Sequence, residues 1–280
     1  MAQTHLILGA SRGIGYEFTS QLLARGHNVI ATQRAATATG SKLAALQSQY
    51  PGGQLAILEC DVSSEASILG FVARVREALH RETRTRAVLD VVVLNAGVLV
   101  YPNRMSELSF ANFSHHLTTN TIGPLLAAQH LLKLSQPEEA AHKPVDIKTL
   151  VFISSDSGST TNFRSFEDGF GAYAASKAAL NQGLRHLAAE VHRKHPNPPV
   201  VLALHPGEVT TDMAANVEVD WEVKGVIGPE ESIECMLKVI EEKGAGGADE
   251  GGRVSMAKDG LEEETGAATF WTWDGRRYPW

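Results

Sequence analysis

The chain has 280 residues, of which 43% are hydrophobic and 20% charged, a balance that suits one large folded domain and excludes a disordered chain. Its formal net charge of −7 excludes a general affinity for polyanions such as nucleic acid. Cys60 and Cys235 lack disulfide or metal spacing, and we find neither a signal peptide nor an apolar run of about 18 residues that could span a bilayer. We therefore expect a cytoplasmic protein with no nucleic-acid or membrane partner.

Short apolar segments alternate with longer amphipathic segments along the chain. Strands are predicted at residues 5–8, 28–33, 54–59, 88–95, 148–154, 200–205 and 269–273, and helices at residues 15–24, 41–49, 65–80, 110–134, 172–192 and 230–242. This alternation predicts βαβ units and hence a single doubly wound α/β domain over residues 1–280, with a seven-stranded, mostly parallel sheet and helices on both faces. Residues 243–266, rich in Gly, Glu and Asp, are predicted to form an exposed loop.

A glycine-rich turn, Gly9-Ala-Ser-Arg-Gly-Ile-Gly15, joins the first predicted strand to the first predicted helix. Glycines at such a turn let the backbone approach a ligand closely, and the start of the helix attracts a pyrophosphate. The spacing is G-x-x-x-G-x-G without the Gly-Lys-Ser/Thr ending of a P-loop. We interpret the turn as a dinucleotide-binding site; the alternative is a turn that is tight for steric reasons alone.

The end of the second strand bears on which dinucleotide would bind. NAD sites usually offer a carboxylate to the ribose there, whereas NADP sites offer arginine. The segment Val29-Ile-Ala-Thr-Gln-Arg34 contains no carboxylate, and Arg34 and Arg12 could both face a 2′-phosphate. This pattern favours NADPH over NADH, although either arginine could instead be an ordinary solvated charge.

Tyr173 and Lys177 are four residues apart, which places them on the same face of a predicted helix. A free phenol has a pKa near ~10, and a neighbouring ammonium should lower it toward the working range of a proton donor or acceptor. The pair therefore indicates carbonyl or alcohol chemistry. The alternative is an ordinary pair of residues on an amphipathic helix.

Further motifs accompany these in a characteristic order: Asp61-Val62, Asn95-Ala-Gly97, Asn120, Ile153-Ser-Ser155 and Pro206-Gly207. With the glycine turn and the Tyr-x-x-x-Lys pair, the whole chain resembles the short-chain dehydrogenase/reductase family. The segments 31–34 and 270–280 resemble the carbonyl-reductase branch of sniffer and C-factor-like proteins within it. The resemblance implies a Rossmann domain and a nicotinamide cofactor.

The resemblance also implies a role for each matched residue. Ser155 would bind the substrate carbonyl, Tyr173 would transfer the proton, Lys177 would bind the nicotinamide ribose, and Asn120 would hold a water in a proton relay. The implied cofactor-binding residues are Gly9, Ser11, Arg12, Gly13, Ile14, Gly15, Arg34, Asp61, Val62, Asn95, Ala96, Gly97, Tyr173, Lys177, Pro206, Gly207, Val209 and Thr211. Asp61 could equally cap the helix that follows it.

The predicted function is that of an NADP(H)-dependent oxidoreductase that interconverts a ketone or aldehyde and an alcohol. A catalytically silent NADP-binding sensor or scaffold is the alternative; a sugar-nucleotide epimerase is disfavoured by the turn spacing and by the lack of room for a large substrate domain. Segments 98–103, 156–171 and 212–228 should line the substrate pocket, and Phe163, Phe166 and Trp221 indicate an apolar or aromatic carbonyl compound. No metal site is predicted, and a homo-oligomer remains open.

Overall fold

The computed structural model describes residues 2–34, 41–82, 87–135, 144–248, 254–256 and 263–280. The helices are α1 (Gly13–Ala24), α2 (Lys42–Gln49), α3 (Glu65–Glu82), α4 (Phe110–Leu117), α5 (Gly123–Lys133), α6 (Gly171–Lys194) and α7 (Pro229–Lys243). The strands are β1 (Thr4–Leu8), β2 (Asn28–Gln33), β3 (Leu55–Glu59), β4 (Ala87–Leu94), β5 (Val145–Ile153), β6 (Val200–His205), β7 (Glu208–Val209), β8 (Val226–Ile227), β9 (Val254–Met256), β10 (Glu263–Thr265) and β11 (Thr269–Thr272).

Seven strands form one sheet in the order β3-β2-β1-β4-β5-β6-β11, and every neighbouring pair is parallel. The chain moves outward from β1 to β3 and then returns to the other side of β1 with β4. Loops that follow β1 and β4 therefore diverge to opposite faces and open a crevice between the carboxyl ends of these strands. The predicted α/β fold is confirmed.

Two apolar cores cover the two faces of the sheet. Leu6 and Leu8 of β1 point into the core formed with α3, α5 and α6, whereas Ile7 between them points into the core formed with α1, α2 and α7. Both faces of the central strands are thus buried, which explains why these strands are apolar at nearly every position.

The helix predicted over residues 110–134 is not continuous. A π-helical turn, Thr118–Ile122, separates α4 from α5. Asn120 lies inside this turn and is completely buried. Pro124 occupies the first turn of α5, a position that tolerates a residue without a backbone N–H. The prediction was wrong here because the apolar periodicity continues through a change in backbone winding.

The segment predicted as an exposed loop, residues 243–266, contains regular structure where it is described. Lys243 is the last residue of α7, and β9 and β10 pair antiparallel. The prediction of one domain over the whole chain stays a prediction. Among the described residues no helix combines the length and the apolar composition needed to cross a bilayer.

A close contact between the α4–α5 region and the loop after β3 generates a stability prediction. A Cβ added at Gly123 would lie 2.3 Å from the backbone oxygen of Val62, so either backbone would have to move. We expect Gly123→Ala to lower the free energy of unfolding by about 3 kcal/mol, measured by urea denaturation. Gly70→Ala in α3 is the matched control, because its Cβ would meet only the flexible end of Arg74 at 3.6 Å. The control should be neutral or more stable by about 0.5–1 kcal/mol; equal effects of the two substitutions would contradict the prediction.

Candidate active site

The turn between β1 and α1 packs tightly against the end of β4. Gly9 has a φ of +89°, and a Cβ there would lie 2.7 Å from the Cα of Ala96. A Cβ at Gly15 would lie 2.1 Å from the Gly9 carbonyl oxygen, which accepts a hydrogen bond of 2.6 Å from the Asn95 amide. Side chains are therefore excluded at Gly9 and Gly15, and Gly13, the first residue of α1, lies on the wall of a cavity.

This first cavity, called here the nucleotide cleft, brings together most of the predicted cofactor residues. They are Gly9, Ser11, Arg12, Gly13, Ile14, Arg34, Asp61, Val62, Asn95, Ala96, Gly97 and Thr211. Gly15 does not line the cleft but lies beneath it, where it permits the packing of Gly9 and Asn95.

A second cavity, called here the carbonyl pocket, adjoins the nucleotide cleft. The two share walls at Ile14, Asn95, Gly97, Val98, Thr211 and Met213. The remaining predicted cofactor and catalytic residues line the carbonyl pocket, with the exception of Asn120: Ser155, Tyr173, Lys177, Pro206, Gly207 and Val209. The structure thus gathers motifs from distant parts of the chain at one edge of the sheet.

Asp61 lies in the turn before α3, but the side chain that caps this helix is Ser64, whose hydroxyl accepts a 3.3 Å hydrogen bond from the Ser67 N–H. The Asp61 carboxylate accepts hydrogen bonds from the Ser63 backbone N–H at 2.9 Å and from the Ser63 hydroxyl at 2.6 Å, so it stabilises the turn before α3. It also lines the nucleotide cleft. The predicted contact of Asp61 with adenine stays a prediction. The Ser63 hydrogen bonds, aided by the charge of Arg34, lower the pKa of Asp61.

Arg12 and Arg34 are both exposed at the nucleotide cleft. Arg12 forms only a long ion pair with Asp212, at 3.9 Å between two exposed side chains. At the end of β2, Thr32 is buried and its hydroxyl accepts a 2.8 Å hydrogen bond from the Gly9 N–H. Both guanidinium groups thus lie at the cleft with weak partners, Arg12 beside Asp212 and Arg34 near Asp61, and are accessible to an anion there.

Asn120 does not line either cavity but holds the wall between β4 and α6. Its Oδ1 accepts from the Val98 N–H at 2.7 Å, and its Nδ2 donates to the Val98 carbonyl at 2.9 Å and to the Ser176 hydroxyl at 3.0 Å. The Ser176 hydroxyl donates in turn to the Tyr173 carbonyl at 2.7 Å. The side chain is thus fully engaged in positioning, and its predicted role beside a relay water stays a prediction.

Lys177 and Tyr173 meet at the boundary of the two cavities. The Lys177 ammonium is buried, donates a 2.8 Å hydrogen bond to the Ile153 carbonyl and lies 5.8 Å from the centre of the Tyr173 ring. Ser155 follows β5, and its hydroxyl donates to the Asp156 carboxylate at 3.1 Å. The three predicted catalytic side chains Ser155, Tyr173 and Lys177 therefore share one pocket.

The expected lowering of the Tyr173 pKa by Lys177 is wrong for this structure. Burial raises the pKa of the Tyr173 phenol, and the negative charges of Asp156 and Glu208 raise it further, while the adjacent Ser155 hydroxyl opposes the change. Burial also lowers the pKa of Lys177 to about 8. The phenol is therefore protonated at neutral pH, the state in which a tyrosine can donate a proton.

Asn103 is a positioning residue that the sequence did not reveal. Its Oδ1 accepts hydrogen bonds from the backbone N–H groups of Ala172 at 2.7 Å and Tyr173 at 3.2 Å, at the start of α6. It sits 69 positions before Ala172 in the chain. No sequence motif marks Asn103, because the backbone groups that it binds lie far along the chain.

The aromatic wall of the carbonyl pocket differs from the prediction. Phe163 is 82% exposed and lies outside the pocket, whereas Phe170 lines it. Phe170 contacts Tyr101 at 5.2 Å and Trp221 at 6.3 Å between ring centres, and Trp221 contacts Phe166 at 6.1 Å. Phe170 is thus the member of this aromatic group that lines the pocket, whereas the predicted Phe166 and Trp221 do not line it either.

A group of charged residues beside Ser155 also escaped prediction. Asp156, Glu167, His205 and Glu208 line the carbonyl pocket, and Arg164 forms ion pairs with Asp156 and, at 2.9 Å, with Glu167. The potential ligand atoms of Asp156, His205 and Glu208 lie within 4.8 Å of one another, but the Arg164 guanidinium already contacts the Asp156 carboxylate. The prediction of no metal site stays a prediction.

The buried ammonium of Lys177 generates a prediction for stability against pH. Since its folded pKa of about 8 is below the usual 10.5, the unfolded chain binds more protons between these values, and stability rises with pH in this window. From pH 8 to 10 we expect the free energy of unfolding of the cofactor-free protein to rise by about 2 kcal/mol relative to Lys177→Met. Urea denaturation at each pH measures the difference, and parallel pH profiles would contradict it.

Comparisons with known proteins find relatives that match most of the chain. The family model described as short chain dehydrogenase matches residues 3–221. The chain is 30% identical over 213 residues to the NADPH-dependent pterin aldehyde reductase of Arabidopsis thaliana, covering 76% of this chain and 77% of that protein. The structure of an NADPH-bound carbonyl reductase from chicken fatty liver has a TM-score of 0.76 and 28% identity, covering 100% of this chain and 99% of that one.

The carbonyl reductase Sniffer of Drosophila melanogaster shares the fold, with a TM-score of 0.72 and 22% identity over 100% of both chains. The family model covers well over half of this chain. The matched range contains the glycine turn, Asn95-Ala-Gly97, Ile153-Ser-Ser155 and the Tyr173–Lys177 pair. The chain therefore belongs to the short-chain dehydrogenase family of oxidoreductases.

Proposed function

We propose that the protein reduces a ketone or aldehyde to an alcohol with NADPH, or catalyses the reverse reaction. The observation that carries this proposal is the meeting of Ser155, Tyr173 and Lys177 in a pocket that adjoins the nucleotide cleft. Proximity of a proton donor, a carbonyl-binding hydroxyl and a hydride source accounts for much of such catalysis.

The residues present fit a nicotinamide dinucleotide. A side chain at Gly9 would collide with Ala96 and one at Gly15 with the Gly9 carbonyl, so the turn keeps its shape only with glycine there, and the backbone at the start of α1 lines the cleft where a pyrophosphate would bind. Arg12 and Arg34 would hold a 2′-phosphate, and Asp61 with Val62 would contact the adenine. Near Tyr173, the nicotinamide end would contact Asn95, Ala96, Gly97, Pro206, Gly207, Val209, Thr211 and Lys177. When bound, NADPH supplies the hydride.

Within this scheme Tyr173 donates the proton to the carbonyl oxygen. Its raised pKa keeps the phenol protonated at neutral pH, which suits reduction. Ser155 would bind the same oxygen after its hydroxyl rotates away from Asp156. Lys177, held on the Ile153 carbonyl, stabilises the phenolate that remains. Asn120 would maintain this arrangement through Val98 and Ser176 and, beside a water, resupply the proton.

Removal of the phenol hydroxyl tests the proton donor. We expect Tyr173→Phe to lower kcat/KM for carbonyl reduction by about 10³-fold or more, because the carbonyl oxygen loses its proton source, while the Kd for NADPH changes little. The measurement is NADPH consumption against ketones, aldehydes and quinones, with fluorescence titration for the Kd.

Tyr50→Phe is the matched control, since Tyr50 packs on the apolar core and lines neither cavity. The control should retain activity. A wild-type protein that binds NADPH but reduces no carbonyl compound would instead support a silent NADP-binding sensor, and residual activity in Tyr173→Phe would contradict the assigned proton donor.

The preference for NADPH has a separate test in Arg34. A charge-assisted contact with phosphate is worth about 1.5–3 kcal/mol, so Arg34→Ala should raise the Kd for NADPH by about 10- to 100-fold and leave the Kd for NADH nearly unchanged. Arg185→Ala, an exposed arginine on α6 outside both cavities, is the control. An equal loss of affinity for both cofactors in Arg34→Ala would argue against recognition of the 2′-phosphate.

A further inference from the structure

The charges that face the carbonyl pocket do not balance. Asp156 and Glu167 share the single guanidinium of Arg164. Within the described part of the chain, the Glu208 carboxylate makes no hydrogen bond or ion pair, although one of its oxygens lies within 4.8 Å of an Asp156 carboxylate oxygen and of a His205 ring nitrogen. One negative charge beside the catalytic tyrosine is therefore left without a partner.

His205 does not supply the missing positive charge. Its Nδ1 accepts a 3.3 Å hydrogen bond from the Asp156 backbone N–H and lies 3.6 Å from the Asp156 carboxylate, while burial lowers the pKa of the ring, opposed by the charge of Asp156. Lys177 lines the same pocket and donates its hydrogen bond to the Ile153 carbonyl, so that with Arg164 two cations face the three carboxylates of Asp156, Glu167 and Glu208. The pocket thus holds Glu208 as an uncompensated acid.

Glu208 is held in place by the backbone rather than by its side chain. It begins β7, which pairs with β8 at Val226, and follows Gly207, whose φ of +85° and contact with the Trp273 ring leave no room for a side chain. A cation that enters the pocket would meet a carboxylate whose backbone position is already set, so little ordering is needed on binding.

The surroundings of Glu208 favour a cation over water. Burial, followed by the charge of Asp156, raises the pKa of Glu208. Burial and the charges of Asp156 and Glu208 raise the pKa of Glu167, and the charge of Arg164 opposes the rise at both carboxyls. A positive group relieves both repulsions. The Phe170 ring lines the same pocket, and aromatic faces attract cations and aromatic groups.

We propose that the carbonyl compound accepted by this pocket carries a protonated amine, and that Glu208 is the specificity residue that binds it. The inference rests on the proposed function, since the amine is selected by the pocket that presents the carbonyl to Tyr173. The favoured substrate class is an aromatic ketone or aldehyde with a cationic amine.

Two probes of equal shape separate charge from size. Para-(aminomethyl)acetophenone carries an ammonium where para-ethylacetophenone carries a methyl group, and NADPH consumption gives kcat/KM for each. We expect wild-type protein to prefer the ammonium ketone by about tenfold or more, as for a partly desolvated charge pair. Glu208→Gln should lose this preference. Because the preference is the ratio of kcat/KM for the two ketones within one variant, a general loss of activity cancels from it.

Glu222→Gln is the matched control, because Glu222 lies in the same loop region with an 80% exposed side chain paired to Lys224. It should keep the full preference. Dissociation constants of both ketones for the protein loaded with NADP+ repeat the comparison without turnover, so the inference is tested even if no reduction is observed.

The outcomes separate the inference from the proposed function. Reduction of both ketones at equal kcat/KM leaves the proposed function intact and overturns the inference, as does a preference that persists in Glu208→Gln. Loss of the preference on addition of EDTA would indicate a metal cation at Asp156, His205 and Glu208 and would likewise overturn it. Failure of reduction with a retained difference in Kd supports the inference while removing the assigned activity.

Discussion

The hydrogen bonds of the Asn120 amide connect the segment after β4 to helix α6. With one side chain Asn120 satisfies both backbone groups of Val98 and the Ser176 hydroxyl, and so ties the chain after β4 to the helix that carries Tyr173 and Lys177. Asn120 is fully buried, so breaking one of these hydrogen bonds would leave a polar group of its amide unsatisfied. The π-helical turn is what brings Asn120 to this position.

The pKa values of the pocket residues depend on how deeply each group is buried and on which charges lie near it. Lys177 is solvated by a neutral carbonyl and so pays a desolvation cost that lowers its pKa. Tyr173 has an ammonium on one side and, through Asp156 and Glu208, negative charges on the other, and the net effect keeps its proton bound. A motif spacing predicts which groups meet, but the direction of a pKa change depends on every charge and on burial.

Much of the fold could be predicted because parallel strands carry strong local signals. Strands covered on both faces are apolar at nearly every residue, and the residues that follow them must meet at one edge of the sheet. The glycine turn was predictable for a similar reason: Gly9 and Gly15 are required by close backbone contacts that no other residue allows. The break at Thr118–Ile122 was missed because amphipathic periodicity does not distinguish a continuous helix from one with a local π turn.

By itself, the sequence determined the α/β class, the family resemblance and the residues expected to do the chemistry, since each depends on short motifs and local periodicity. Only the tertiary structure decided that Asn103 caps the start of α6, that Phe170 rather than Phe163 lines the pocket, and that Glu208 forms no ion pair with the described residues around it. These features join segments far apart in the chain. Their contacts and charges exist only once the loops have packed across the end of the sheet.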